Sequence, residues 1–141
     1  MNKFGIIESS EIDVIKSLSA KDNNPANMVE AGYVAKYTIY GQIELATQLN
    51  VESEAQIAGV VCGISGQKNY TGLFQQSVVC NGVRVAVKYN GTTNLDVGTV
   101  MYLDVDGTVT KDAPATPIIV GIVSAHSLGN SGVAYIKLNN M

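Results

Sequence analysis

The chain has 141 residues and a formal net charge of −3, with 46% hydrophobic but only 15% charged residues. That length and hydrophobicity build one domain with a real core and exclude a disordered chain. The scarce charge leaves a surface of Asn, Gln, Ser, Thr and Gly, or one covered by another protein.

Nine scattered basic residues, with Arg84 the sole arginine, exclude the basic patch that nucleic-acid phosphates demand. No apolar run is long enough to cross a bilayer. "MNKFGIIESSEID" lacks a hydrophobic segment ending in a cleavage site, so no cleaved export signal is predicted. Residues 1–30 are predicted to form an arm distinct from a β-domain over 31–141. Within the arm, Ile12, Ile15 and Leu18 recur at helical spacing, with Ser10 as N-cap and Asp13 in the first turn. That spacing predicts one short amphipathic helix, too short to stand alone and obliged to dock. "AKDNNPANMVEAG" reads as a loop broken at Asn24-Pro25.

From Tyr33 the period becomes two. "YVAKYTIYGQIELAT" is rich in β-branched and aromatic residues, with Gly41 marking a bend or bulge. "QIELATQLN" also has helical propensity, so strand and helix both stay open over 42–50. "AQIAGVVCGIS" reads as a buried strand and "GQKNYTG" as a polar loop. In "QQSVVCNGVRVAVKY" two β-rich runs flank Asn81-Gly82, the pair favoured in a two-residue hairpin turn. Val83, Val85, Val87 and Tyr89 then share one face. "NGTTNLDVG" is a turn, "PIIVGIVSA" a buried strand, "LGNSG" a turn and "VAYIKLN" a closing strand. Turns this frequent, with no crossover helix, predict a mainly β fold: an antiparallel barrel or sandwich with a short N-terminal helix or arm.

"YLDVDGTVTKD", Tyr102 to Asp112, admits two readings. A hydrophobic strand entering Asp-x-Asp-Gly-Thr resembles the first motif of haloacid-dehalogenase-like phosphatases, which would make Asp104 the phosphorylated nucleophile and Asp106 its proton-handling partner. That chemistry implies a parallel α/β sheet and further acids to hold Mg²⁺, yet no residue after Asp112 is Asp or Glu. The other reading is a hairpin turning at Asp106-Gly107, with Val105 facing Thr108, Asp104 facing Val109, Leu103 facing Thr110 and Tyr102 facing Lys111. The hairpin is the reading the rest of the pattern supports.

No other constellation carries chemistry. His126, the sole histidine, pairs on paper with Cys62, but nothing nearby in sequence supplies an orienting carboxylate. Asp104, Asp106 and Asp112 miss the spacing of a calcium loop. Cys62 and Cys80 lie in Val-rich runs and read as reduced, buried thiols, in keeping with synthesis in a reducing cytoplasm. The sequence therefore predicts no enzyme, no catalytic residue, no metal and no cofactor.

"IAGVVCGI", "GVRVAVKYNG", "LDVGTVMYLDVDGTVTK", "IIVGIVSA" and "GVAYIKLN" follow one another in an order that resembles bacteriophage capsid decoration (cement) proteins. The resemblance runs from about Ala55 to Met141. It implies a small barrel or sandwich, a homo-oligomer with a trimer favoured, and a partner in the major capsid protein. It also implies a place on the outer capsid surface of a virion assembled in a bacterial host, with neither nucleic acid nor membrane as partner. The arm would then touch the capsid or a neighbouring subunit through Phe4, Ile6, Ile7, Ile12, Ile15 and Leu18; the alternative is that it covers one open end of the barrel. Similar texture occurs in head-fibre and tail-associated domains, in which Tyr70, Phe74 and the "GQKNYTG" loop would contact a receptor or glycan.

Overall fold

The computed structural model of the protein describes residues 4–8, 14–62 and 74–139. Among the described residues the strands are β1 (Gly5–Glu8), β2 (Val14–Ser19), β3 (Val34–Tyr37), β4 (Ile43–Leu45), β5 (Ile57–Cys62), β6 (Gln75–Lys88), β7 (Val100–Leu103), β8 (Val109–Thr110), β9 (Ile119–Ala125) and β10 (Val133–Asn139). They form one antiparallel sheet in the order β4-β3-β5-β6-β10-β9-β7-β8, with β1 and β2 also paired to β6. The mainly β, antiparallel expectation holds.

β6 organises the sheet. Asn81 pairs with Asn139 of β10 and with Val14 of β2, so those two strands lie on opposite edges. Val85 pairs with both Ile6 and Ile136, and Val79 with both Ile15 and Val60. One edge of β6 therefore carries β1 then β2, and the other carries β10 then β5.

This pairing overturns the two-residue hairpin expected at Asn81-Gly82. Neither residue has a positive φ, both are buried, and the strand runs through them. Ladder bonds from neighbours on both edges outweigh the local turn preference of the pair. The chain nevertheless changes direction there. Val78 is opposite Val61, Gly32 N donates to Val61 O (2.8 Å), and Lys88 N donates to Gly32 O (2.9 Å). Three strand spacings, about 15 Å, thus connect residues that ten extended residues would hold about 33 Å apart. β6 is bent sharply, and register shifts opposite it in β2 and β10 accommodate the bend.

The bend lets one sheet curl around two cores. On the β10 side, the order β6-β10-β9-β7-β8 returns to Tyr89 through a bridge to Val109. Val85, Val87, Tyr89, Met101, Leu103, Val123, Ile136 and Leu138 fill this larger core. On the other side, β6-β5-β3-β4 closes through a bridge between Ile43 and Ala20, which follows β2. Val29, Ala35, Ile43, Ala58, Val61, Val78 and Cys80 fill the smaller core, with Leu18, Tyr33 and Tyr37 against it. β3, β5 and the first half of β6 form a shared wall whose alternate residues face opposite cores. Gly59 sits in that wall at φ +145°, where a Cβ would lie 2.0 Å from the Val79 carbonyl oxygen. Only glycine permits so close a strand approach.

Two further expectations are corrected. Residues 14–19 are a strand, not a helix, because a free edge of β6 offers six ladder positions to a segment that starts Val-Ile; Ser10, Ile12 and Asp13 lie outside the described residues. Over 42–50 the strand alternative holds, as β4 followed by turns. The 102–112 hairpin exists, but Tyr102 faces Thr110, Leu103 faces Val109, and Asp104 N donates to Thr108 O at 2.9 Å. Its loop has three residues, ending in Gly107 at φ +82°, so the register is one residue off and Asp104 faces Thr108, not Val109. The Asn24-Pro25 break is present: Asn24 Oδ1 accepts from Ala26 N (2.9 Å), capping a short 3₁₀ turn over Pro25–Asn27.

Candidate interaction surface

Of the six arm residues, the three whose side chains are described, Phe4, Ile15 and Leu18, do not share one apolar face. Phe4 is half-buried on the chain's own fold: the Lys88 ammonium lies 5.3 Å from its ring centroid and 5.5 Å from that of Tyr33. Gly32 admits it, since a Cβ there would sit 2.7 Å from the ring. Ile6 and Ile7 belong to β1, their side chains outside the described set, and Ile12 lies outside the described residues altogether. Ile15 points outward at 55% exposure, while Leu18 packs against the smaller core. Strand alternation separates side chains that helical spacing would have gathered.

The loop that follows β2 is held from inside. Gln76, buried in β6, accepts from Val29 N at 2.9 Å through Oε1 and donates to Val29 O at 2.5 Å through Nε2. One amide thereby stands in for a missing strand partner and closes the smaller core over Val29.

Asp104, Asp106 and Asp112 serve the loops that carry them. Asp104 Oδ1 accepts from Val105 N (2.7 Å), and Asp106 accepts from Asn90 Nδ2 (3.0 Å) and Thr108 Oγ1 (2.6 Å). Asp112 N donates to Thr110 Oγ1 at 3.2 Å. Among the described residues no three His, Cys, Asp or Glu side chains lie together as a metal site. His126 does have a carboxylate partner, contrary to the reading of its sequence neighbours: Nδ1 lies 3.0 Å from Asp96 Oδ1, both well exposed, tying the 94–98 loop to the end of β9. Cys62 and Cys80 are free thiols, and burial raises the pKa of each. For Cys80 the Lys16 charge and a hydrogen bond with Tyr37 oppose that rise. The "GQKNYTG" loop, with Tyr70, lies outside the described residues; Phe74 is half-buried, its N–H donating to Asn23 Oδ1 at 2.6 Å.

Surface that sequence reasoning missed lies elsewhere. β9, read as a buried strand, has a bulge at Val120 against β7, so Ile119 and Ile122 both face solvent while Val120, Gly121 and Val123 are buried. Tyr102 is opposite Ile119, and Val100 and Lys137 flank Ile122. A second apolar feature is the β3–β4 turn, where Ile39 is 92% and Tyr40 78% exposed. Thr38 fixes that turn: its N–H donates to Gln42 O (2.8 Å) and its carbonyl accepts from Gly41 N (3.0 Å). Beside it, Tyr37, Tyr40, Gln42 and Gln56 line part of a cleft of about 310 Å³. The Ile-Ile-Val run gave no warning of the outward face of β9, because a bulge changes the period without changing composition.

No family model and no curated protein matches this sequence.

Proposed function

We propose that the protein is a structural virion component, a decoration protein that binds the outer surface of a phage capsid through the major capsid protein and stabilises the shell. The observation that carries the reading is the arm laid along β6. Residues 5–8 and 14–19 follow one edge of that strand in antiparallel register, from Ala86 down to Gln75. Held by main-chain bonds at a sheet edge, such a segment can dock on its own fold or on a neighbour with the same chemistry. Ile15, Lys16 and Ser17 remain exposed along it. Low surface charge and a sheet closed around two cores suit a part whose work is to be covered by other proteins.

The test mixes purified protein with undecorated capsids of the parent phage and follows binding and thermal disassembly. Saturable binding with a raised disassembly temperature is the expected result, and absence of saturable binding overturns the reading. Removing residues 1–13 keeps β2 and every described core residue, so the shortened protein should fold yet bind capsids less tightly.

A second reading, a head-fibre or tail-associated domain that binds a receptor or glycan, has the cleft beside Tyr37 and Tyr40 in its favour. The exposed Tyr40 and half-buried Tyr37, next to amides, offer a sugar both an apolar ring face and hydrogen-bond donors. Glycan-array binding that disappears in Tyr40→Ala would select this reading over the first.

A further inference from the structure

We propose that the outer face of β7, β9 and β10 joins two copies of this chain about a two-fold axis that runs across the strands between Ile119 and Ile122. The bulge at Val120 sets two cross-strand rows on this face. One row holds Tyr102 and Ile119, and the Glu54 carboxylate is anchored beside them, its Oε1 accepting from Ile119 N at 3.3 Å. The other row holds Val100, Ile122 and Lys137. Ile118 O accepts from Leu103 N on the β7 side, so the Ile119 N–H points to the β10 side. Glu54 and Lys137 therefore occupy the same flank of β9, one at the end of each row, about 10 Å apart along the strand.

A two-fold axis between the rows lays each row on the other row of the second copy. Ile119 then meets Ile122, Tyr102 meets Val100, and Glu54 meets Lys137, every contact occurring twice. The strands of the facing sheets run in the aligned manner of packed sheets. The pattern of apolar centre and opposite charges is self-complementary under that operation, which is the requirement of an isologous interface. A foreign partner would have no need for Glu54 and Lys137 to mirror each other. Thr110, opposite Tyr102, and Tyr135, two residues before Lys137, extend the same face toward the roughly 800 Å² per partner of a stable contact.

The contact is pairwise and differs from the trimer that the resemblance to decoration proteins implies; it does not depend on capsid binding. Light scattering on size-separated protein over a concentration series tests it. The expected mass is that of two chains, or an even multiple. Ile122→Glu should raise the dimer dissociation constant by about tenfold or more, with circular dichroism unchanged because Ile122 is exposed in the single chain. Glu54→Lys and Lys137→Glu should each weaken the dimer severalfold, and their combination should restore it, a rescue that a merely structural role would not produce. A single-chain mass throughout, a three-chain mass, or a two-chain mass indifferent to Ile122→Glu would overturn the proposal.

Discussion

The two cores share one wall but are closed by different means. The larger core is ringed by β-hairpins and filled by big side chains such as Met101, Leu103, Ile136 and Leu138. The smaller one is lined mostly by Ala and Val, and its lid is made of the end of β2, the Ala20–Ile43 bridge and a loop clipped by Gln76. Burial of apolar area therefore dominates on one side, and completion of backbone hydrogen bonds contributes a larger share on the other. A sheet can be stabilised by either route, but the second depends on single residues.

The largest disruption of this arrangement should come from the wall itself. Gly59→Ala would set a methyl group against the Val79 carbonyl oxygen at a backbone angle that only glycine adopts freely. Neither core could then close, and soluble expression with native circular dichroism should be lost. Next comes Leu103→Ala, which opens a cavity in the larger core and should cost about 2–5 kcal/mol in denaturant unfolding. Gln76→Leu keeps volume but strands the Val29 N–H and carbonyl, with an expected cost of about 1–3 kcal/mol. It should raise hydrogen exchange around 20–30 before it affects β7–β10, and a uniform rise would blur the distinction between the two closures. Ile15→Thr, on the outward face of β2, should change stability by less than about 0.5 kcal/mol.

The mildest expected effect is the smaller core's share of an alkaline pH dependence, to which the Cys62 thiol beside the larger core also contributes. Burial raises the Cys80 thiol above its ordinary value of 9.0, so the folded chain holds that proton more tightly than the unfolded one. This contribution is intact below the ordinary value and is lost as pH climbs through it toward the raised folded value. The melting temperature should fall on that alkaline side, and Cys80→Val should flatten the fall relative to the parent protein.

Much of the fold was legible because strand signals are local. "VAYIKLN" became β10 residue for residue, and "IAGVVC" became the doubly buried β5. What could not be read depends on partners distant in sequence. Asn81-Gly82 has the composition of a hairpin turn, but Val14, Leu138 and Asn139 occupy the edges that a turn would have left open. Ile15 and Leu18 fit a helix until a free strand edge is offered at 75–81. The hairpin at Asp106-Gly107 was correct in kind and displaced by one residue, because a three-residue loop and a two-residue loop use the same Asp-Gly pair. Of the candidate contact residues, the sequence could name hydrophobic arm positions but not that Phe4 and Leu18 would be turned inward. The outward isoleucines of β9 were invisible for the same reason as the bend in β6: irregularities of register leave little mark on composition.

The bend in β6 also has a consequence for how the chain is made. As residues 75–88 leave the ribosome, their partners in β2 and β5 have already been synthesised, so the smaller core can begin to close. Val85 and Val87 still await β10, the last strand in the order, to complete the larger core. Until then that half of the central strand, with β1 along one edge, leaves its other edge open, the kind of intermediate that aggregates or recruits chaperones. Slowing translation between residues 88 and 133 should therefore lower the yield of soluble protein more than slowing it before residue 60.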